Sequence, residues 1–133
     1  MADVFVSYSQ KDRLSADAIR RGLEKLGFDV WTDKNLEPGL DIGEQIVSEL
    51  AQAKVIVVLV SASYLDSQWA QLEVGAALAR SREAGTIVVP VLLEGAKLPA
   101  YLSQFPTEDF RDLPPEEIAN KLRVLARRLP VHA

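Results

Sequence analysis

The feature that most constrains the fold of this chain is an uninterrupted apolar run, Val55-Ile56-Val57-Val58-Leu59-Val60. Every residue of the run except Leu59 is β-branched, and β-branched side chains favour an extended strand. Because the run has no polar side chain to turn towards water, such a strand must be covered on both faces. The run therefore predicts an α/β fold with this strand in the middle of a parallel sheet.

The rest of the chain alternates short β-branched runs with longer amphipathic stretches whose period is near 3.6 residues. Predicted strands cover residues 4–6, 28–31, 55–60, 86–93 and 109–110, and predicted helices cover residues 15–26, 42–50, 69–82 and 114–129. Right-handed crossovers between them give a flavodoxin-like, doubly wound five-stranded parallel sheet of order 2-1-3-4-5 with helices on both faces. In that topology a ligand binds beyond the carboxyl ends of the strands, between the first strand and the third.

Composition narrows the class of protein. The 133 residues contain no repeat and no internal linker, so we expect residues 1–133 to form a single domain, suited to be one module of a longer protein. Fifteen basic against nineteen acidic residues give a formal charge of -4, which does not suit a nucleic-acid binder. No apolar run approaches the ~20 residues that cross a bilayer, and no cysteine is present. We therefore expect a cytoplasmic protein with neither nucleic acid nor membrane as partner.

The predicted loops exclude several chemistries that use this architecture. A phospho-acceptor receiver needs an acidic cluster after the first strand and an aspartate after the third, where this chain has Ser7-Tyr8-Ser9 and Ser61-Ala62-Ser63. A flavin or dinucleotide site needs a phosphate-binding loop rich in glycine or threonine, and residues 7–12 contain neither. The sole histidine, His132, lies in the tail, and no carboxylates have metal-ligand spacing. We expect no metal and no bound cofactor.

Five short segments, in order along the chain, resemble the Toll/interleukin-1 receptor (TIR) domain. They are DVFVSYS at residues 3–9 with Asp12, GFDVWTD at 27–33, Glu37-Pro38-Gly39, VVLVS at 57–61 with Tyr64, and SQWAQLE at 67–73. The likeness covers nearly the whole chain. Ala70 replaces the cysteine that is common beside the tryptophan in the family, with little consequence expected for chemistry that needs a carboxylate.

The resemblance implies one of two functions. Some TIR domains only scaffold signalling assemblies, whereas others cleave the bond between nicotinamide and ribose in NAD, using a glutamate four residues after a tryptophan or a similar residue. Trp69 and Glu73 have that spacing, which places them on one face of a helix. An ordinary solvated glutamate is the alternative, but Glu73 is the only charged residue from Ser67 to Ala79. The expected enzyme is an NAD+ glycohydrolase of signalling or immune, including antiviral, defence. It takes NAD+ as substrate and releases nicotinamide with ADP-ribose or a cyclic isomer.

The resemblance also implies further site residues. Substrate contacts are expected from Ser7, Tyr8, Asp12, Trp31, Asp33 and Trp69. For Ser7, Tyr8, Asp12 and Trp69 the alternative is a structural role at a strand end or helix start. The polar loop after the second strand contains Leu36, Pro38, Gly39 and Leu40, and these are expected to contact a neighbouring TIR domain in head-to-tail self-association. Exposed apolar residues in a polar loop are often contact residues.

Overall fold

The structure is a computed structural model that describes residues 3–32, 39, 41, 44–45, 48–49, 52–66, 75, 79, 85–103, 105–111, 113 and 115–127. Its strands are β1 (Val4–Ser7), β2 (Val30–Trp31), β3 (Val55–Val60), β4 (Ile87–Leu92) and β5 (Glu108–Asp109). Its helices are α1 (Arg13–Lys25), α2 (Ala62–Asp66) and α3 (Pro115–Arg127), and Gln10–Asp12 and Ala100–Leu102 are short 3-10 helices. The described residues within the second and third predicted helices, 44–45, 48–49, 75 and 79, are helical, and so is residue 52 just after the second.

The five strands form one parallel sheet of order β2-β1-β3-β4-β5, which confirms the predicted topology. Strand β3 lies at the centre and pairs with β1 from Val55 to Val58 and with β4 along its whole length. All six of its residues are buried, as the apolar run predicts. The chain therefore organises itself around one strand that is covered on both faces.

Alternate residues along the strands belong to two separate hydrophobic cores, one on each face of the sheet. On one face, Val55, Val57 and Leu59 pack with apolar side chains of α1 and α3. On the other face, Ile56 and Val58 pack with Tyr64 and with Ala53, Ala96 and Leu102 from the connections. This alternation follows from the two-residue period of a strand, and it places helices or connecting segments against both faces.

Several boundaries differ from those predicted. Strand β2 begins at Val30 rather than at Phe28, because the amide of Phe28 donates to the carbonyl of Leu23 and so closes the end of α1. Gly27, with φ 98°, makes that turn, as expected of a glycine after a helix. Strand β4 pairs with β5 only at Val91 and Leu92, which agrees with the incomplete pairing expected beside Pro90.

Helix α2 was not predicted. Only five residues long, it begins directly after β3, and Ser61 caps it by accepting a hydrogen bond from the Tyr64 amide at 3.0 Å. A helix of this length shows no apolar period in the sequence. Within the part of the chain that the structure describes, no helix is both long and apolar enough to cross a membrane.

Helices α1 and α3 approach closely at Gly22. A Cβ atom added at Gly22 would overlap the Cδ1 atom of Leu122, whereas one added at the exposed helical Gly75 would meet no heavy atom within 4 Å. Close approach of the two helices therefore depends on the missing side chain.

Replacing these two helical glycines by alanine should have opposite effects. Gly75→Ala should raise the free energy of unfolding by about 0.5–1 kcal/mol, since alanine loses less conformational freedom than glycine in a helix. Gly22→Ala should lower it by about 1 kcal/mol, because displacing Leu122 costs more than that gain. Chemical denaturation of both variants measures the difference. Equal stabilisation by both changes would contradict the close packing.

Candidate functional site

The carboxyl ends of β1 and β3 meet at one edge of the sheet. Strand β1 ends at Ser7 and leads into the 3-10 turn Gln10–Asp12, and β3 ends at Val60 and leads into α2. In the sheet, β1 has β2 as its neighbour on one side and β3 on the other. From the end of β1 the chain crosses towards β2, away from β3. The loops after β1 and β3 therefore diverge and leave the crevice in which ligands of doubly wound sheets bind.

A hydrogen-bond network joins the two loops across this crevice. Ser61 Oγ donates a hydrogen bond to the Asp12 carboxylate, and it accepts one from the Tyr64 amide. Ser7 Oγ and Tyr64 Oη lie 2.7 Å apart and share a second hydrogen bond. The side chains of Ser7, Ser61 and Tyr64 are buried, and Asp12 is half-buried. Each loop is thus held in place by the other.

The local sequence explains why the Asp12 carboxylate is turned into the crevice. Ser9 caps the 3-10 turn, accepting a hydrogen bond from the Lys11 amide at 3.4 Å. Asp12 follows at the cap position of α1, but its side chain makes no capping hydrogen bond there. Its carboxylate is bound by Ser61 instead. The alternative interpretation of Asp12, a residue that merely starts a helix, therefore accounts for its position but not for its contacts.

Tyr8 and Trp31 lie away from this network. Tyr8 follows Ser7 and belongs to the opposite core, the one formed with α1 and α3. Trp31 is 8% exposed, and its ring stacks on Phe5 with centroids 5.0 Å apart and an interplanar angle of 13°. Both aromatic rings pack in the cores, so their substrate contacts stay predictions. Of the predicted binding residues, the structure brings Ser7 and Asp12 together.

The remaining predicted site residues, Asp33, Leu36, Pro38, Leu40, Trp69 and Glu73, lie outside the described residues, and their roles stay predictions. Gly39 is exposed with φ 84°, a conformation that glycine adopts readily in turns. Helix α2 ends at Asp66, three residues before Trp69. Among the described residues, no three acidic or histidine side chains form a group that could hold a metal ion.

Sequence reasoning gave no role to Ser61 and Tyr64. Tyr64 was noted only as part of the family resemblance, and Ser61 only there and in excluding a receiver, although a serine that directly follows a buried strand at this edge of the sheet is itself informative. A hydroxyl buried at that position needs a hydrogen-bond partner. Such a residue points to a polar group across the crevice, which here is Asp12.

The fold and this network define the class of protein: a flavodoxin-like α/β domain with a polar hydrogen-bond network between the loops that follow the first and third strands. The family model for the TIR domain matches residues 4–125, and the chain belongs to that family.

Known proteins similar to this chain include two bacterial enzymes and the TIR domain of an animal receptor. The chain is 28% identical over 93 residues to a 2' cyclic ADP-D-ribose synthase of Bacteroides thetaiotaomicron, covering 67% of this chain and 32% of that protein. It is 27% identical over 93 residues to the synthase of the same name from Acinetobacter baumannii, covering 67% and 34%. The chain thus spans about a third of the length of these relatives. The TIR domain of a Toll-related receptor from Hydra magnipapillata superposes with a TM-score of 0.81 at 18% identity, covering 97% of this chain and 98% of that domain.

The Ser7–Tyr64 hydrogen bond should show strong energetic coupling. Tyr64→Phe and Ser7→Ala should each lower the free energy of unfolding by about 1–3 kcal/mol, because each leaves the other buried hydroxyl without this partner. The double variant should lose less than the sum of the two, with a coupling of about 0.5–1.5 kcal/mol. A double-mutant cycle by urea denaturation measures this coupling, and strictly additive losses would show that the hydrogen bond contributes nothing.

Proposed function

We propose that this chain is an NAD+ nucleosidase that cleaves the bond between nicotinamide and ribose in the crevice between β1 and β3, with Glu73 as the catalytic carboxylate. The observation that carries the proposal is the network of Ser7, Asp12, Ser61 and Tyr64, which places polar groups at the switch point of the sheet, between the loops after β1 and β3. Similarity to two bacterial 2' cyclic ADP-D-ribose synthases supports NAD+ as the substrate.

The polar groups of the crevice suit the nicotinamide riboside half of NAD+. The Asp12 carboxylate is half-buried, and a carboxylate accepts hydrogen bonds from ribose hydroxyls and attracts the positively charged pyridinium. The same carboxylate would repel phosphates. We therefore place the nicotinamide riboside over the loops of Asp12 and Ser61, with the network holding those loops ready before the substrate arrives.

Bond cleavage needs little more than a well-placed anion. As the bond from ribose to nicotinamide breaks, its electron pair moves to the pyridinium nitrogen, and the ribose becomes an oxocarbenium-like cation. Glu73 stabilises this cation electrostatically, as carboxylates do in glycoside hydrolysis, and Trp69 shields the sugar. Attack by water gives ADP-ribose and one proton. Attack by a hydroxyl of the substrate itself gives a cyclic isomer and also releases one proton.

The proposal includes self-association of the chain. The loop of Leu36, Pro38, Gly39 and Leu40 would contact a neighbouring copy head to tail, so that activity rises with assembly. The domain would then act as one module of a signalling or defence protein in the cytoplasm, since its relatives are about three times as long as the matched stretch. A non-catalytic scaffold that uses the same contacts is the alternative.

The catalytic role of Glu73 is tested by nicotinamide release from NAD+ at high protein concentration. Glu73→Ala and Glu73→Gln should each lower the rate at least about a hundredfold, because both remove the charge that stabilises the transition state. Glu44→Gln is the matched control, since Glu44 is an exposed helical glutamate and its loss should leave the rate unchanged. Chromatography of the second product separates ADP-ribose from a cyclic isomer.

Two results would contradict this assignment. Equal nicotinamide release by the parent and by both Glu73 variants would remove Glu73 from the mechanism. A parent chain that releases no nicotinamide under any condition that promotes assembly would establish the scaffold instead. Melting temperatures of all variants show whether a lost rate reflects a lost fold.

The assembly loop gives a second test. Leu36→Asp should weaken self-association and lower turnover together, since it places a charge where an apolar contact is expected. Asn35→Asp is the matched control, because it adds the same charge at the neighbouring position and keeps Leu36. Light scattering against concentration is measured beside nicotinamide release. Full turnover per molecule by a monomeric Leu36 variant would mean that the site is complete within one chain.

A further inference from the structure

A groove between α1 and α3 lies on the surface of the domain and shares no residue with the network at the crevice. Its volume is about 450 Å³, within the range of roughly 300–1,000 Å³ that small-molecule sites occupy. Any two packed helices leave a valley between them, so volume alone does not make a binding site. The side chains that line the groove decide whether it suits a ligand.

The floor of the groove is apolar and low along α1. Ala18 and Gly22 line it one helical turn apart, and Leu122 of α3 lies so close to Gly22 that a Cβ atom there would overlap its Cδ1 atom. Ala18 is exposed, and Leu26, one turn after Gly22, is 39% exposed. Because the two α1 residues carry little or no side chain, the floor leaves room for an apolar guest.

The rim of the groove is basic. Arg21 and Lys25 of α1 and Arg123 of α3 line it, and no carboxylate does so among the described residues. All three cations are exposed, and none forms an ion pair within the part of the chain that the structure describes. Arg123 donates only to the neutral side chain of Asn120. Three cations without acidic partners thus surround an apolar floor on a chain whose net charge is -4.

Helix electrostatics account for only one of these cations. Lys25 lies in the last turn of α1, where a positive charge favours the helix dipole, but Arg21 and Arg123 lie before the last turn of their helices. Arg20, the neighbour of Arg21 on α1, is paired with acidic side chains of the same helix at distances of 2.9 and 3.9 Å. The chain therefore supplies acidic partners for a cation beside the groove and none for the cations that line it.

The complement of this groove is a molecule with an anionic group on an apolar body. Arginine and lysine donate charge-assisted hydrogen bonds to carboxylate, phosphate and sulfonate oxygens, and two of the three cations are arginines, which bind such groups through two parallel hydrogen bonds. The groove is concave, so a single small molecule reaches its floor, whereas a bilayer surface would rest on the rim. Charge and shape together favour a free small molecule.

We propose that the groove between α1 and α3 binds a free anionic amphiphile, a small molecule with a carboxylate, phosphate or sulfonate on an apolar body. The apolar body lies over Ala18, Gly22 and Leu122, and the anionic group accepts hydrogen bonds from the cations of the rim. This site is separate from the crevice, and it does not depend on the proposed cleavage of NAD+.

Binding of the dye 8-anilinonaphthalene-1-sulfonate tests the groove, because the dye joins a sulfonate to aromatic rings and its fluorescence rises in apolar surroundings. The parent should bind one dye molecule saturably. Lys25→Glu and Arg123→Glu should each weaken binding at least about tenfold, since each turns an attraction into a repulsion, whereas Lys25→Arg should bind like the parent. Lys97→Glu is the matched control, an exposed lysine outside the groove, and should also bind like the parent. Equal melting temperatures should show that all variants fold.

The floor is tested separately by Ala18→Gln, which adds neutral polar bulk at an exposed helical position and should weaken dye binding without any change of charge. Competition then defines the ligand class. Decanoate should displace the dye, whereas decyltrimethylammonium, with the same chain and the opposite charge, and inorganic phosphate, with no chain, should not do so at the same concentration.

Several results would overturn the inference. They are a parent without saturable dye binding, unchanged binding by the Lys25→Glu and Arg123→Glu variants, and equal displacement by the cationic competitor. Displacement by a ten-residue polyglutamate as effective as that by decanoate would assign the groove to an acidic protein segment. Sedimentation velocity in which the same two variants lose a self-association of the parent would assign it to a second copy, and loss of parent binding to phosphatidylglycerol vesicles would assign it to a membrane. No NAD+ is present, so nicotinamide release decides the proposed function independently.

Discussion

Burial of β3 on both faces is the constraint on which the rest of the structure depends. The strand has no polar side chain, so leaving either face uncovered would expose apolar surface at about 25 cal/mol per Å². Parallel pairing with β1 and β4 requires crossover connections, and these connections cover both faces. The same crossovers bring the carboxyl ends of β1 and β3 together and open a crevice between their loops. The position of the candidate site is therefore a consequence of how the core is covered.

The polar network begins where the apolar runs of β1 and β3 stop. A buried hydroxyl without a partner costs about 1–3 kcal/mol, so the hydrogen bonds between the two loops stabilise Ser7, Ser61 and Tyr64 at their buried positions. These hydrogen bonds tie the position of the loop after β1 to the position of the loop after β3. It also leaves the Asp12 carboxylate facing the crevice rather than capping α1. A site held in this way needs little rearrangement to bind a ribose, which is what the proposed cleavage of NAD+ demands.

The sequence predicted the sheet order and the long helices, because both depend on patterns that are local. Six apolar residues mark β3, and the period of α1 and α3 marks their buried faces. Helix α2 was not predicted, since five helical residues are too few to show a period. Strand β2 was predicted but begins two residues later than expected, because the amide of Phe28 donates to the end of α1. The network was also missed, because its hydrogen bonds join residues 57 and 49 positions apart. For Trp31 the family resemblance implied a binding role; its ring packs on Phe5 inside the core, and the binding role stays a prediction.

The most direct test of the central claim is hydrogen exchange in the Glu73→Gln variant with and without NAD+, because that variant should bind the substrate and turn it over slowly. If the crevice between β1 and β3 holds the nicotinamide riboside, NAD+ should slow exchange of the backbone amides at residues 9–12 and 61–64. Exchange at residues 53–55, at the opposite edge of the sheet, should stay unchanged. If saturating NAD+ left residues 9–12 and 61–64 unaffected, or protected only amides elsewhere in the chain, the crevice would not be the binding site and the account would be wrong.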